Sequence, residues 1–258
     1  MDDDLLAGVR GLPGVAEAVD QARSAVDAAY RHPALRRAGG RVAAEVALHA
    51  AVASAALAGS RYDVDQVRAG TVTDPVLQGA LRCAEAVPGM VETWRRAPRQ
   101  ALARLHVLAA RGAVADERLG RPETDPTGAA RLDVLADLVA GGATPGGLVR
   151  AAVVHGELLA LRAFPGPNGV VARAAARLDL IASGFDPRGL IGMEIGHLER
   201  EPEYVGAAGA FATGTRDGVR AWLRHCGTVA RIAAERLAEV VSRVAPDDGE
   251  APSRPFPG

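Results

Sequence analysis

The sequence contains no lysine, because all 30 basic residues of the 258-residue chain are arginine. This absence excludes chemistry that needs a lysine amine, such as Schiff-base formation or the lysine of a phosphate-binding P-loop. Aromatic residues are also scarce, at 3% of the chain, whereas hydrophobic residues make up 48% and alanine is the most frequent of them. Alanine loses no side-chain entropy in a helix, so this composition favours a packed helical protein.

Cysteine is rare as well. The chain has two, Cys83 and Cys226, and neither belongs to a CxxC pair. Two isolated cysteines in a chain of this length are typical of free thiols that serve as small apolar core residues in a reducing compartment.

Long apolar runs without charge are missing, and none reaches the roughly 18 residues that a membrane-spanning helix needs. The acidic start of the chain, Met1 to Asp4, does not have the pattern of a signal peptide. The net charge of −1 provides no broad basic surface for a nucleic acid. These absences predict a cytoplasmic protein that binds neither membranes nor nucleic acids.

The pattern along the chain is helical almost throughout, and strand-like alternation is almost absent. We therefore predict an all-α fold with a single domain over residues 1–245, whose core spans 70–245, followed by a disordered tail at 246–258. The predicted helices cover residues 14–31, 39–58, 63–68, 74–87, 97–112, 129–140, 145–162, 169–184, 188–198, 201–213 and 216–244. Gly, Pro, Asp and Thr cluster in residues 112–128, which predicts an exposed loop or a short β-hairpin flap.

One turn between two strong helices carries the chemical signal of the chain. Phe164 to Gly169 reads FPGPNG and leads directly into a helix. A Gly/Asn turn at a helix N-terminus presents backbone N–H groups and the positive end of the helix dipole, which together favour an anion. Arg173 lies one turn into that helix and Arg162 ends the preceding one, so both guanidinium groups are candidates to pair with a bound phosphate. The alternative is that the segment is only a helix–helix connector.

The segment from Ala151 to Arg173 resembles the core motif of the Fic (Fido) family. In that family a helix ends in His-Pro-Phe, followed by x-x-Gly-Asn-Gly-Arg-x-x-Arg. The residues that match the motif without a gap are Phe164, Asn168, Gly169 and Arg173. Residues 204–223 are similar to the family's closing helices and residues 53–67 to its inhibitory helix, so the resemblance extends over about 36–245. It implies an all-α Fic-like helical bundle in which these four residues contact a nucleotide.

The resemblance also exposes what this chain has lost. Fic enzymes usually transfer AMP from ATP to a protein hydroxyl, with a histidine as general base, and Arg162 stands at that position. Arginine stays protonated and cannot accept a proton. Gly166 replaces the acidic residue that holds Mg²⁺ and offers no oxygen ligand, so we expect no metal site. Pro167 and Val170 replace a glycine of the turn and the first motif arginine, which removes one N–H group and one phosphate contact.

A second departure lies in the inhibitory-type helix, residues 39–59. The family pattern there is Ser/Thr-x-x-x-Glu-Gly/Asn, and its glutamate pairs with the second motif arginine. Here the pattern is Ser54-x-x-x-Ala58-Gly59, so the glutamate is missing. The resemblance therefore implies that Arg173 lacks a carboxylate partner.

We interpret the chain as a degenerate Fic-domain protein without AMP-transferase activity. Its motif loop would bind ATP, another nucleotide or anion, or a protein partner. One alternative is an active Fic-type transferase of AMP or another phosphoryl-containing group, with altered chemistry. Another is a structural interaction module that forms a homodimer.

The remaining histidines and tryptophans give no sign of a second site. His155 is predicted to be a hydrogen-bonded residue on a buried helix face, and His197 to lie at the surface. Trp94 and Trp222 are predicted to be core residues, since they lie at helical spacing from Ala and Leu.

Overall fold

The computed structural model describes residues 2–142 and 147–244, and it consists of helices joined by short connections. The predicted disordered tail at 246–258 lies outside these residues. The helices, in chain order, are α1 (Asp2–Arg10), α2 (Val15–Tyr30), α3 (Leu35–Ala56), α4 (Val64–Arg68), α5 (Pro75–Ala86), α6 (Val91–Arg96), α7 (Pro98–Ala110), α8 (Pro126–Ala140), α9 (Gly147–Leu161), α10 (Asn168–Ala182), α11 (Met193–Glu199), α12 (Glu201–Ala212) and α13 (Arg216–Val244). The prediction of an all-α fold is confirmed.

Helix α10 lies at the centre of the bundle. It packs along α9 and also contacts α3, α5, α6 and α7, while the long α13 packs against α2, α3, α9, α11 and α12. Twelve of the fifteen residues of α10 are buried. Because several of these buried positions are alanine, neighbouring helices can approach α10 closely. The motif loop leads directly into the N-terminus of this buried helix.

Polar groups anchor α10 within this apolar surrounding. Asp179 is completely buried, accepts a hydrogen bond of 2.9 Å from the indole N–H of Trp94, and forms an ion pair with buried Arg150 at 3.1 Å. Just beyond α10, Asp186 accepts hydrogen bonds from the hydroxyl of Tyr30 and from two backbone N–H groups. A buried carboxylate with this many donors fixes its segment in place.

Several predictions about individual elements are confirmed and others are wrong. Trp94 and Trp222 are fully buried, and both cysteines are free and buried. The suggested hairpin near 112–128 is absent. This segment contains a 3₁₀ turn at Asp116–Arg118, and its β-type pairing is limited to an isolated bridge between Arg111 and Val114. Its Gly and Pro residues provide the turns, but no run of alternating residues pairs with a second strand.

Two of the predicted helices begin at clearly different residues in the structure. The predicted helix at 39–58 already begins at Leu35, because residues 35–38 continue the apolar face of α3. The predicted helix at 188–198 begins only at Met193, since the side chain of Asp186 binds the backbone N–H groups of Leu190 and Ile191. In the described ranges, no helix has both the length and the apolarity to cross a membrane.

Candidate functional site

The motif loop between α9 and α10 is held by its own asparagine. The side-chain oxygen of Asn168 accepts from the N–H of Phe164 at 3.0 Å, and its amide nitrogen donates to the carbonyl oxygens of Phe164 and Gly166 at 2.5 and 3.3 Å. These bonds turn the chain through the Pro-Gly-Pro segment and direct it into the helix. They also use the side chain of Asn168 for the loop itself.

His106 of α7 fastens the loop from the other side. It is completely buried, and its ring stacks on Phe164 with centroids 4.7 Å apart. Its Nδ1 accepts from the N–H of Gly120 at 2.9 Å, so Nε2 carries the proton and donates to the carbonyl oxygen of Pro165 at 2.8 Å. Burial lowers the pKa of His106, which keeps the ring in this neutral form.

The segment that follows α7 covers the loop closely. The N–H of Glu123 donates to the carbonyl oxygen of Ala163 at 2.7 Å. Gly166 has a φ of 81°, and a Cβ atom placed on it would lie 2.7 Å from Cγ2 of Val114. A residue with a side chain at position 166 therefore meets both backbone strain and a steric clash.

The loop does not fit a magnesium ion. Position 166 has no side chain, and the nearby carboxylate of Glu123 forms a bidentate pair with Arg118. Among the described residues there is also no cluster of three His, Cys, Asp or Glu side chains that could hold a metal. Mg²⁺ needs oxygen ligands, and the carbonyl oxygens of this loop already accept hydrogen bonds.

Arg162 lies at the exposed start of the loop. Its φ is 46°, and it alone has a positive φ among the non-glycine residues that the structure describes. Left-handed backbone costs about 1–2 kcal/mol for a residue with a Cβ atom. The guanidinium group lies on the surface, beside the turn that Asn168 and His106 hold rigid.

Arg173, by contrast, points into the interior. Its side chain is 3% exposed, and its three donor nitrogens all have partners. Nε donates to Oγ of Ser54 at 2.9 Å, Nη2 to the carbonyl oxygen of Ser54 at 2.7 Å, and Nη1 to the hydroxyl of Tyr204 at 3.1 Å. The guanidinium also lies against Gly169, where an added Cβ would be 3.1 Å from Nη1.

The end of α3 supplies two of the three hydrogen-bond acceptors of Arg173. Near this end the chain tightens, so that the N–H of Ala58 donates to Ala55 instead of to Ser54. The carbonyl oxygen of Ser54 is thereby free to accept from Arg173. The C-terminal end of a helix carries partial negative charge, which favours a cation there. Arg173 therefore hydrogen-bonds the partly negative end of α3 and not a carboxylate.

Ala58 and Gly59 lie beyond this contact, in the exposed turn after α3. Gly59 adopts a φ of 94°, which glycine accepts without strain. Of the three positions in the inhibitory-type pattern, the structure thus brings only Ser54 to Arg173. Val170, at the position of the family's first motif arginine, is buried in the core.

Behind Arg173 lies a cluster of buried histidines. His155 hydrogen-bonds the hydroxyl of Tyr204 at 3.1 Å and packs edge-on against Trp222, as predicted for a buried helix face. The prediction that His197 lies at the surface is wrong, because it is 1% exposed and contacts His225 at 3.1 Å. Helix α11 is too short for its periodicity to reveal the buried face.

Burial lowers the pKa of all three histidines in this cluster. The pKa values of His155 and His197 lie well below the ordinary value, with the nearby Arg173 as a further cause for both. The pKa of His225 falls to about 4. Desolvation penalises the protonated ring, so the cluster is neutral at physiological pH.

Sequence reasoning missed His106 and Tyr204 as site residues. His106 occurs alone in an apolar helix, and its partners at positions 120 and 165 are distant in sequence. Tyr204 is in a segment that matched the family pattern, but the residue itself is not part of the motif. A polar residue on the buried face of a helix is the signal that points to both.

No family model matches the sequence, and no curated protein matches it either. The structure, however, is similar to solved structures. A Fic family protein from Desulfovibrio desulfuricans G20 has a TM-score of 0.71 and 21% identity, over 89% of this chain and 75% of that chain. A variant of Fic-1 from C. elegans has a TM-score of 0.70 and 18% identity, over 87% and 72%. Fic-1 without this change has a TM-score of 0.68 at the same 18% identity, over 87% and 71%.

These likenesses show the fold. The chain has the architecture of Fic family proteins across most of its length, as the motif at 164–173 led us to expect.

Proposed function

We propose that this Fic-fold protein is a degenerate member of the Fic family that does not transfer AMP and instead binds an anionic group at its motif loop. The observation that carries the proposal is the state of Arg173, each of whose three donor nitrogens already bonds Ser54 or Tyr204 in the interior. For Arg173 to hold a phosphate, the contact with the end of α3 has to open.

The chemistry of the loop supports the absence of transfer. Arg162 replaces the general base, and proton abstraction of this kind contributes about 10²–10⁴ in rate. Gly166 and Val170 remove the metal ligand and one phosphate contact. Such losses act together and are not additive, but each removes a different part of the mechanism.

Arg162 is the group that we assign to binding. Arg162 is exposed, and the hydrogen bonds of Asn168 fix the loop beside it. An anion at the loop can therefore contact the guanidinium of Arg162. A guanidinium forms strong, often bidentate bonds with phosphate and carboxylate. The anion belongs either to a small molecule or to a partner protein.

Calorimetry with ATP, ADP, CDP-choline and inorganic phosphate tests the small-molecule form, and crosslinking from native lysate tests the protein form. We expect binding that is lost in Arg162→Ala and kept in Arg121→Ala, a control arginine in the connection before α8. No heat with any of the four compounds, together with no crosslink that depends on Arg162, contradicts the proposal.

A second candidate is a transferase with altered chemistry, and the left-handed backbone of Arg162 favours it. Strain of this kind is concentrated at functional sites. Without a base in the motif, deprotonation of the target hydroxyl has to proceed through the substrate or water. Incubation of lysate with radiolabelled ATP separates the two candidates, because protein labelling that disappears in Arg162→Ala supports transfer and contradicts the first proposal.

A further inference from the structure

Three unpartnered polar atoms meet at one place in the interior, away from the motif loop. Among the described residues, buried side-chain atoms without a hydrogen-bond partner include Nη1 of Arg177, Oε2 of Glu194 and Nε2 of His197. The exposed fractions of these residues are 6%, 6% and 1%. Leaving such an atom unpaired costs about 1–3 kcal/mol, so three together require an explanation.

All three residues line the same small cavity between α9, α10, α11 and α13. It leaves about 10 Å³ for the centre of a water molecule. A water needs roughly 10–15 Å³ on this scale, and a buried water makes about three hydrogen bonds. The size of the cavity and the number of unpartnered atoms therefore agree.

The separation of the ion pair supports the same conclusion. Nη1 of Arg177 and Oε2 of Glu194 are 3.9 Å apart, which is too far for a direct hydrogen bond. Contacts at this range between buried polar groups are commonly bridged by water. A second cavity of about 10 Å³, also lined by both residues and by Ser54, lies beside this pair.

The charges around the cavity argue against an ion. Arg173 and Arg177 both line it and repel a cation. The unpartnered carboxylate oxygen of Glu194 needs a hydrogen-bond donor, which a simple anion cannot provide. A neutral molecule that both donates and accepts hydrogen bonds satisfies all of these groups.

We propose that this cavity is a binding site for one ordered water, which accepts a hydrogen bond from Nη1 of Arg177 and donates to Oε2 of Glu194 and Nε2 of His197. The donors and acceptors then balance at the water. The assignment also fixes the histidine tautomer, since an accepting Nε2 leaves the proton of His197 on Nδ1, from which it donates to Nε2 of His225.

The water connects the ion pair to the surface. His225 also borders the groove between α2, α12 and α13, which Glu17 and Glu203 line as well. A continuous series of hydrogen bonds thus runs from this groove through His225, His197 and the water to Glu194.

A crystal structure that resolves ordered waters tests the site directly. We expect density within hydrogen-bond distance of all three atoms, and ¹⁵N NMR of the imidazole rings is expected to show His197 protonated on Nδ1. An empty cavity, an anomalous peak after a bromide soak, or a proton on Nε2 of His197 contradicts the proposal.

A pair of variants on α10 adds a test in solution. Ala176 lines the cavity, whereas the neighbouring Ala175 is buried and does not line it. Oxygen-17 relaxation dispersion counts long-lived internal waters, and we expect the count to fall by one in Ala176→Val and to stay unchanged in Ala175→Val. An unchanged count in a folded Ala176→Val protein overturns the assignment, and the wild-type measurements decide the question if that variant does not fold.

Discussion

Arg162 and Arg173 lie eleven positions apart, at either side of the same loop, and they differ in exposure and in hydrogen bonding. Arg162 is exposed on strained backbone, whereas Arg173 is buried and bound at every donor nitrogen. A buried charge has to be satisfied within the protein, and an exposed one is satisfied by water. The comparison teaches that Arg173 is held by partners within the protein, while Arg162 is the arginine of this loop that solvent reaches.

The largest expected effect separates the two arginines by stability. Arg173→Met keeps most of the side-chain volume but leaves the oxygens of Ser54 and Tyr204 without their donor. We expect a loss of about 3 kcal/mol or more in the free energy of unfolding, measured with urea.

The matched change Arg162→Met is expected to alter stability by less than about 0.5 kcal/mol, since the side chain is exposed. Equal losses in both variants would break the comparison and give Arg162 a structural role.

The second prediction concerns the buried histidines behind Arg173 and the pH dependence of stability that they cause. The pKa of His225 falls from 6.5 to about 4 on folding. As pH drops below 6.5, the unfolded chain takes up a proton that the folded one does not, so stability decreases until about pH 4. This one residue accounts for up to about 3 kcal/mol.

The variant His225→Gln is expected to make the stability curve less steep between pH 6.5 and 4 in urea titrations. Buried His155 and His197, whose pKa values are also lowered, keep their contributions to the slope in both proteins. The buried carboxylates act in the opposite direction, since burial raises the pKa of Asp179, Asp186 and Glu194 and lets the folded protein hold extra protons there. Comparison with wild type removes their contribution from the result. A slope in the variant as steep as that of the wild type would contradict the neutral state of His225.

The third prediction tests whether the loop tolerates a side chain. Gly166→Ala combines a φ of 81° with a clash against Val114 and is expected to cost about 2–3 kcal/mol, of which about 1–2 kcal/mol is backbone strain. In a Val114→Ala background the clash is removed, so the cost of the same change should fall to that of the backbone strain. A cost that does not depend on residue 114, measured in a double-mutant cycle, would show that the covering segment does not restrict the loop.

The smallest effect concerns the backbone of Arg162. Glycine relieves a strain of about 1–2 kcal/mol but adds about 0.5–1 kcal/mol of unfolded-state entropy. We therefore expect Arg162→Gly to stabilise the protein by about 0.5 kcal/mol, and Arg162→Ala to show no gain, in thermal unfolding. A destabilising glycine would mean that the arginine side chain contributes contacts of its own.

Much of the fold was predictable because alanine-rich periodicity determines most helices. The positions of Trp94 and Trp222 follow from the same pattern and are confirmed. The short α11 was harder, since two turns contain too few residues to define a face, and the burial of His197 was missed with it.

The candidate site was only partly predictable. The departures at 162, 166, 167 and 170 can be read from the sequence, because each changes a chemical group. The contact between Arg173 and Ser54 could not be foreseen, as it depends on how α3 ends and joins residues 119 positions apart. The role of His106 likewise depends on a fold that brings positions 120 and 165 to one ring.

The contact between Gly166 and Val114 also constrains the order in which substitutions can accumulate. An acidic residue at 166 meets a strained φ and the methyl group of Val114, so it costs less stability once residue 114 is smaller. The stability cost of a carboxylate at this position is thus set jointly by residues 166 and 114. The present loop depends on its neighbour, and a side chain at position 166 is accommodated best when the segment that covers the loop changes with it.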